Sequence, residues 1–304
     1  MIHRKLFFAF LGWAALCCFM SPWPALAVYG CHLRYEGLLT YALCALFAWE
    51  YWRNFETVKA ITLPLLILTA SYPFFTHWIG LELCGWLIVP PVAIGAMCAV
   101  GFGIAYPLSR WVAVPILVCG LWTGSRAFLV SAVLVVLIVE GLKFERKAAF
   151  KWCLAVLAIS IAVIPFTPLK AKILNTRVDF EGSRSQWIKQ AISLSRSLPL
   201  TGYGLDTGTE WLKPAHGRTA EAKDVIADRT HNLFTDVLIW TGWTGLFLFV
   251  ALLFSTGKAV IDHFDNENLA CGLGCLAFVT FGLMNPLGCV ALVLFFTCIL
   301  GVRK

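Results

Sequence analysis

Residues 233–256 read LFTDVLIWTGWTGLFLFVALLFST, an apolar run whose single charged side chain is Asp236. A helix needs about 20 consecutive apolar residues to cross the hydrocarbon core of a bilayer, so this run predicts a membrane span. Similar runs recur, and 60% of the 304 residues are hydrophobic whereas 13% are charged. A soluble domain is only about half apolar. The composition therefore excludes an ordinary soluble protein and predicts that lipid surrounds most of the chain.

Hydropathy predicts an all-α, polytopic integral membrane protein with about ten transmembrane helices and one large extracytoplasmic loop. The predicted spans cover residues 6–20, 38–52, 60–75, 83–106, 111–123, 127–142, 150–166, 233–256, 269–284 and 287–302. We treat residues 1–304 as a single membrane domain. The start, 1–27, also resembles a cleaved signal peptide, with a basic beginning, an apolar stretch and small residues. We favour an uncleaved first span, and both alternatives place residue 28 outside the cytoplasm.

Lysine and arginine alternate between the predicted loops. The connections that hold Arg53, Arg110, Lys143 and Lys258, together with both basic termini, are predicted to be cytoplasmic. The loop 167–230 then lies outside the cytoplasm. The net charge of +7 does not indicate a nucleic-acid partner, because the cations are dispersed among loops rather than gathered in a basic domain.

The large loop 167–230 contains a second helical signal. Ser183 and Gln186 fit a capping box, and an apolar stripe predicts an amphipathic helix from Arg184 to about Ser197, lying on a membrane or on other helices. The stripe consists of Trp187, Ile188, Ala191, Ile192 and Leu198. A glycine-containing turn follows, with Gly202 and Gly204, and His231 and Asn232 stand just before the span at 233.

Several polar residues on this predicted outer side are candidates for chemistry. Arg126 at a span boundary is either an interfacial arginine that reaches water or an anion binder. Arg184 is either a solvated loop cation or, together with helix N–H groups, a phosphate ligand. His231 is either an interfacial polar side chain or a proton acceptor. The residues alone leave each of these pairs open.

Cysteine spacing indicates neither a metal site nor a disulfide framework. The twelve cysteines include no CxxC pair, and eleven of them fall in apolar stretches. Cysteine in such a place behaves as a small hydrophobic residue. We therefore predict no zinc site and no disulfide framework.

Four short motifs occur in an order that resembles a known family. They are Arg34-Tyr35-Glu36-Gly37-Leu38, Gly124-Ser125-Arg126, the Arg184-x-x-Trp187 helix with the turn at 199–204, and His231-Asn232 followed by Gly242-Trp243-Thr244-Gly245. Together they resemble the O-antigen ligases and related O-antigen polymerases, which are bacterial membrane glycosyltransferases. Two features depart from the family: the chain is short, and Leu246-Phe247 follows Gly245 where lipopolysaccharide ligases commonly have a Thr pair.

The resemblance implies transfer of a glycan from undecaprenyl pyrophosphate to an acceptor hydroxyl, on the periplasmic face of the inner membrane, without metal or nucleotide. It implies His231 as the catalytic base and Arg126 and Arg184 as pyrophosphate ligands. Supporting roles fall to Arg34, Glu36, Asn232, Gly202 and Gly204. Glu36 is expected to orient Arg34 or the acceptor, and Gly242 and Gly245 are expected to let two spans approach closely.

Three alternatives remain beside the ligase. A polymerase of the same family would use the same residues on a growing glycan. A transporter or flippase would place polar groups and broken helices near the bilayer midplane, whereas here the charges cluster at the predicted span ends. A non-catalytic assembly protein would bind lipid-linked glycan through the same loop. The acceptor also stays open among lipid A core, another glycan repeat and a protein serine.

Overall fold

The computed structural model describes residues 2–31, 36–53, 91–142, 152, 154–156, 158–161, 164, 184–212, 229–284 and 289–303. The regular elements in these ranges are helical, which confirms the all-α prediction. They are α1 (Ile2–Phe19), α2 (Pro24–Tyr29), α3 (Leu38–Arg53), α4 (Pro91–Leu108), α5 (Arg110–Trp122), α6 (Arg126–Leu142), α7 (Arg184–Ser195), α8 (Gly208–Trp211), α9 (Leu233–Asp262), α10 (Asn266–Gly282) and α11 (Cys289–Gly301).

The ten predicted spans are only partly represented among these helices. Two described helices, α1 and α9, are long and apolar enough to cross a bilayer, and α3, α4, α5 and α11 contain shorter apolar stretches. The predicted span at 60–75 and the first part of the span at 83–106 lie outside the described residues, as does most of the span at 150–166. The ten-span topology therefore stays a prediction.

The outer faces of the bundle are apolar. On α6, Val130, Val133 and Leu137 are exposed, and on α9, Phe247 and Phe254 are 72% and 76% exposed. Within each helix these positions lie three, four or seven residues apart, so they share one face. A soluble protein rarely exposes long apolar faces, whereas lipid accommodates them.

Small residues let the central helices α4 and α10 pack closely. A Cβ added at Gly103 of α4 would lie 2.6 Å from the carbonyl oxygen of Leu273 on α10. Such close backbone approach is typical of membrane helices, where association depends on packing because lipid is as apolar as the side chains. The Phe278 and Phe295 rings stack nearby with centroids 4.0 Å apart, which joins α10 to α11.

The bundle has two distinct ends. We call the first the base end, where Arg4 Nη2 donates to the carbonyl of Leu300 at 2.8 Å and Asn268 Nδ2 donates to that of His263 at 2.6 Å. We call the opposite end the site end, where the turn between α5 and α6 and the start of α9 lie. The helix termini at the base end thus include the beginning of α1 and the end of α11.

A buried ion pair at the base end joins α5 to α6. Arg110 Nη2 contacts the two carboxylate oxygens of Glu140 at 2.8 and 2.9 Å, and the Tyr106 hydroxyl donates to the same carboxylate at 3.0 Å. Glu140 is only 2% exposed. Because a buried carboxylate needs such partners, this cluster fixes the base end of α6.

Helix α9 breaks at Gly242, which has φ 67° and ψ −176°. The break leaves carbonyl groups without partners inside the helix, and the 199–204 turn supplies new ones. Tyr203 N donates to Ile239 O and Gly204 N donates to Trp240 O, both at 2.9 Å. Trp13 Nε1 of α1 donates to Thr241 O at 2.8 Å. The break therefore attaches both the turn and α1 to α9.

Glycine is required on both sides of this junction. A Cβ at Gly242 would overlap the carbonyl oxygen of Leu200, and a Cβ at Gly202 would lie 2.6 Å from Ile239 O. Gly245 meets Trp13 of α1, as expected for a close approach of two spans. Gly242 differs from that expectation, because it meets the turn instead of a second span.

We predict that Gly242→Ala prevents stable folding, because the side chain would overlap Leu200 and the backbone conformation is nearly restricted to glycine. Strain of this kind costs about 1–3 kcal/mol, and the overlap adds to it. Gly257→Ala, in the same helix with nothing within 4 Å of the added atom, is the matched control. The midpoint temperature of thermal unfolding in detergent should fall for Gly242→Ala only. Equal behaviour of the two would show that the break tolerates a side chain.

Candidate active site

The segment 229–232 leads into α9, and most of its polar groups are hydrogen-bonded. Thr230 donates to Asp236 Oδ1 through both its backbone N–H, at 2.9 Å, and its hydroxyl, at 2.7 Å. Asn232 is the N-cap of α9, and its side-chain oxygen accepts from Phe234 N and Thr235 N at 3.1 and 3.2 Å. Such a cap satisfies N–H groups that a helix start leaves free.

His231 lies between these two anchored residues in a left-handed backbone conformation, with φ 60°. Its ring stacks on Trp187 of α7, with centroids 5.2 Å apart and planes 22° from parallel. Among the described residues, Asp206 is the other non-glycine position with positive φ. Uncommon conformations of this kind concentrate at functional sites. The side chain remains partly exposed.

Helix α7 confirms the predicted amphipathic helix in type and position, ending at Ser195 instead of Ser197. Its inner face buries Trp187 and Ala191 against Trp211 and Ile239. Ile192 was placed on the apolar stripe, but it is 52% exposed. The reason is that α7 packs through a narrow face on α9, so the stripe is narrower than the pattern suggested.

Arg184 is the first residue of α7, one turn before Trp187. Its side chain, that of Gln186 and all of Ser183 lie outside what the structure describes. The contact between Trp187 and His231 nevertheless brings the beginning of this helix next to the histidine.

Arg126 begins α6 at a tight turn after α5. Gly124 in the turn has φ 67°, and Ser125 Oγ accepts from Phe128 N at 3.3 Å. The Arg126 side chain is partly exposed. This turn therefore presents Arg126 at the rim of the site end.

Helix α10 links the Arg126 turn to the start of α9. Gly95 of α4 lies between them: a Cβ added to it would be 3.2 Å from Ser125 Cβ in the turn and 3.4 Å from the Phe281 ring of α10. Two residues further along, Leu283 O accepts from Asn232 Nδ2 at 3.4 Å. Arg126, the first turn of α7 and His231 thus share one end of the bundle.

The glycine turn has the conformation that its sequence indicates. Gly202 and Gly204 have φ of 65° and 91°, values that favour glycine. A Cβ at Gly204 would lie 2.7 Å from Ala27 Cβ. The two glycines therefore position the turn between α2 and α9.

A buried ion-pair cluster lies beneath His231. Arg229, which is 3% exposed, pairs with Glu36 and with Asp206 Oδ1 at 3.2 Å. Its guanidinium also lies over the Trp240 ring, 4.9 Å from the centroid. Asp206 Oδ2 accepts from the backbone N–H groups of Cys31 and Glu36 at 2.9 and 3.1 Å. We call Arg229, Glu36 and Asp206 the arginine cluster.

Electrostatics keep the Arg229 guanidinium charged. Burial by itself lowers the pKa of the Arg229 guanidinium. The negative charges of Glu36 and Asp206 raise this pKa, and together they outweigh the effect of burial, so that the pKa lies well above its usual value. Arg229 is therefore a permanent cation that its own carboxylates neutralise.

Sequence reasoning missed Arg229 and Asp206, and it expected Glu36 to orient Arg34 or the acceptor. Arg34 lies outside the described residues, so this expectation stays a prediction. Within the described residues Glu36 is bound by Arg229. The only signal in the sequence was that Arg229 stands two residues before His231. Nothing in a sequence pattern reports a pairing across 193 positions.

A cavity extends from the arginine cluster into the bundle. Glu36, Arg229 and Asp236 line its polar part, and aromatic rings surround the rest, namely Phe10, Phe249, Phe278, Phe295 and Phe296. Within the described ranges, no group of three or more His, Cys, Asp or Glu side chains could hold a metal ion.

Residues 111–250 match the model of the O-antigen ligase family. Over this stretch, which is somewhat less than half of the chain, the protein is similar to the O-antigen ligases. The match contains Arg126, Arg184 and His231, which confirms the resemblance drawn from the motifs. No curated protein matches the chain.

The similarity suggests a general class of function. O-antigen ligase relatives are bacterial, membrane-embedded enzymes that transfer glycans, with lipid-linked glycan and an acceptor as partners. The matched stretch spans α5 to the first half of α9 and does not reach Glu36.

We predict that Asn232→Ala and Asp265→Ala each destabilise the protein by about 0.5–2 kcal/mol, since each removes an N-cap side chain. Asn232 caps α9 at the site end, and Asp265 caps α10 at the base end. Only Asn232→Ala should also lower glycan transfer, because it borders His231. Thermal unfolding and transfer assays on both variants test this. An equal loss of transfer in the two variants would show that Asn232 has no specific effect at the site.

Proposed function

We propose that this protein transfers a glycan from undecaprenyl pyrophosphate to an acceptor hydroxyl, as a ligase of lipopolysaccharide biosynthesis in the cell envelope. The observation that carries the proposal is the placement of His231, fixed in a left-handed conformation against Trp187 at the end that also presents Arg126. The loop residues of the site end then face the periplasm and the base end faces the cytoplasm, because the base end contains the basic Arg4 and Arg303.

His231 acts as the general base in this proposal. Its imidazole removes the proton from the acceptor hydroxyl, whose oxygen attacks the anomeric carbon of the donor glycan. The bond between that carbon and the pyrophosphate oxygen breaks, and the electron pair leaves with the pyrophosphate. The neutral imidazole can accept this proton through its unprotonated ring nitrogen.

Arginines suit the leaving group. A guanidinium binds phosphate oxygens through two parallel N–H bonds, and it stabilises negative charge that develops as the glycosidic bond breaks. We assign Arg126 and Arg184 to this role, with N–H groups at the start of α7 contributing. We assign Arg34 a supporting role. The reaction then requires neither metal nor nucleotide.

The acceptor distinguishes the ligase from its nearest alternative. Purified protein should be supplied with lipid-linked glycan and, in separate reactions, lipid A core, a second lipid-linked repeat and a serine peptide. Product from lipid A core supports the ligase, and product from the second repeat supports a polymerase. Donor consumption with none of them would leave the acceptor outside these classes, and no consumption at all would favour a binding protein or a flippase.

We predict that His231→Ala lowers the transfer rate by about 10²–10⁴-fold, the usual contribution of a general base, while donor affinity persists because the arginines bind the pyrophosphate. Wild-type activity should also fall in acid as the imidazole becomes protonated. His263→Ala, at the opposite end of α9, is the matched control and should retain full activity. If His231→Ala remains active while Asp228→Ala is inactive, Asp228 is the base instead.

We predict that Arg126→Lys loses most glycan transfer although the protein still accumulates in the membrane. An ammonium group is a point charge and cannot form the bidentate contact of a guanidinium. Arg196→Lys, an exposed arginine just after α7, is the control and should be fully active. Transfer rate and donor KM should be measured for both. Near-normal activity of Arg126→Lys would make Arg126 an interfacial arginine without a role in catalysis.

A further inference from the structure

We propose that Arg229 is a positioning residue for His231, which it acts on through its ion pairs with Glu36 and Asp206. This inference rests on the proposed function, since it concerns how the base is oriented. It assigns a role to three buried charges that the reaction itself does not use. Each step of the argument follows from contacts around the segment 229–232.

Arg229 is not arranged to bind substrate. It is 3% exposed, two carboxylates contact its guanidinium, and the Trp240 ring covers one face. Asp236 adds a further negative charge close by, in the wall of the same cavity. An incoming pyrophosphate would therefore meet a buried region whose cation is already neutralised.

The arginine cluster connects three distant parts of the chain. Asp206 follows the glycine turn, Glu36 precedes α3, and Arg229 leads into α9. Asp206 accepts from the N–H groups of Cys31 and Glu36 with one oxygen and contacts Arg229 with the other. In its left-handed conformation, with φ 53°, the one Asp206 carboxylate contacts both the backbone N–H groups and Arg229. The cluster thus holds Arg229 against two backbone segments at once.

His231 stands two residues beyond Arg229. Thr230 between them is held by Asp236 through two hydrogen bonds, and Asn232 after it is fixed by the cap of α9. With both sides anchored, the strained φ of His231 is imposed by its neighbours, and its ring is directed onto Trp187. Arg229 is a third anchor, and without it the segment that precedes His231 is held through Thr230 alone.

A lysine at 229 would keep the positive charge but not the fork that reaches two carboxylates. Asp206→Asn is the milder change, because the amide has the same shape but lacks the charge. The matched control is Glu140→Gln, which weakens the buried pair with Arg110 at the base end. The three variants should be compared with wild type in detergent for thermal unfolding, kcat, donor KM and the pH dependence of kcat.

We expect Arg229→Lys and Asp206→Asn to lower kcat by about 10- to 100-fold, the effect of a displaced catalytic group. Donor KM should change less than about threefold, and the pH at which kcat is half-maximal should not move, because Arg229 orients the base without titrating. The double variant should be no worse than Arg229→Lys alone, since both changes break one unit. Glu140→Gln should lower thermal stability and leave kcat unchanged.

Any one of four kinetic results would overturn the inference. They are a normal kcat in both cluster variants, an effect confined to donor KM, a shift in the pH at which kcat is half-maximal, and an equal loss of kcat in Glu140→Gln. If neither cluster variant accumulates as folded protein while Glu140→Gln does, the cluster is a folding element and the inference is wrong. An inactive wild type would instead contradict the proposed function, so the two failures are distinguishable.

Discussion

Helix α9 stops being a regular helix at Gly242, and the site end is assembled around that interruption. The carbonyls of Ile239 and Trp240 accept from the glycine turn, and the carbonyl of Thr241 accepts from Trp13 of α1. Backbone groups away from water must be paired, and in lipid this requirement is strongest. The break therefore creates attachment points for two other parts of the chain. It also fixes the height at which the turn, and with it Asp206, meets the start of α9.

Buried charges lie near both ends of the bundle, and they differ in composition. At the base end Arg110 meets one carboxylate, Glu140, and a tyrosine hydroxyl. At the site end Arg229 meets two carboxylates and an aromatic face. Breaking a buried pair costs more than forming it gains, because the remaining charge is left without a partner. Both clusters thus specify which segments meet, and the one at the site end includes Arg229, which stands two residues before His231.

Much of this arrangement could be predicted from local patterns. The amphipathic helix α7, the glycine turn with Gly202 and Gly204, and the position of His231 before α9 all follow from short-range signals such as periodicity, breakers and caps. The break at Gly242 could not be predicted, because glycine inside an apolar run is equally common at close helix contacts. The arginine cluster was missed for a different reason.

Glu36, Asp206 and Arg229 come from separate polar segments, and their pairing depends on how the bundle folds. No local period reports such a contact. The exposed Ile192 has a similar origin, since a helical stripe gives the direction of an apolar face and not its width. The catalytic and binding roles of His231, Arg126 and Arg184 rest on the family match and on their shared end, and they stay predictions until the variants are measured.

The contact between Arg4 and the carbonyls of Leu300 and Val302 has a consequence for biosynthesis. The two partners of the closer bond are separated by 296 positions, so Arg4 cannot make this contact until α11 has been synthesised. Helix α1 meanwhile offers Trp13 to α9, which is inserted earlier than α11. Closure of the bundle at the base end therefore waits for α11, whereas the contact between α1 and α9 can form before α11 has been made.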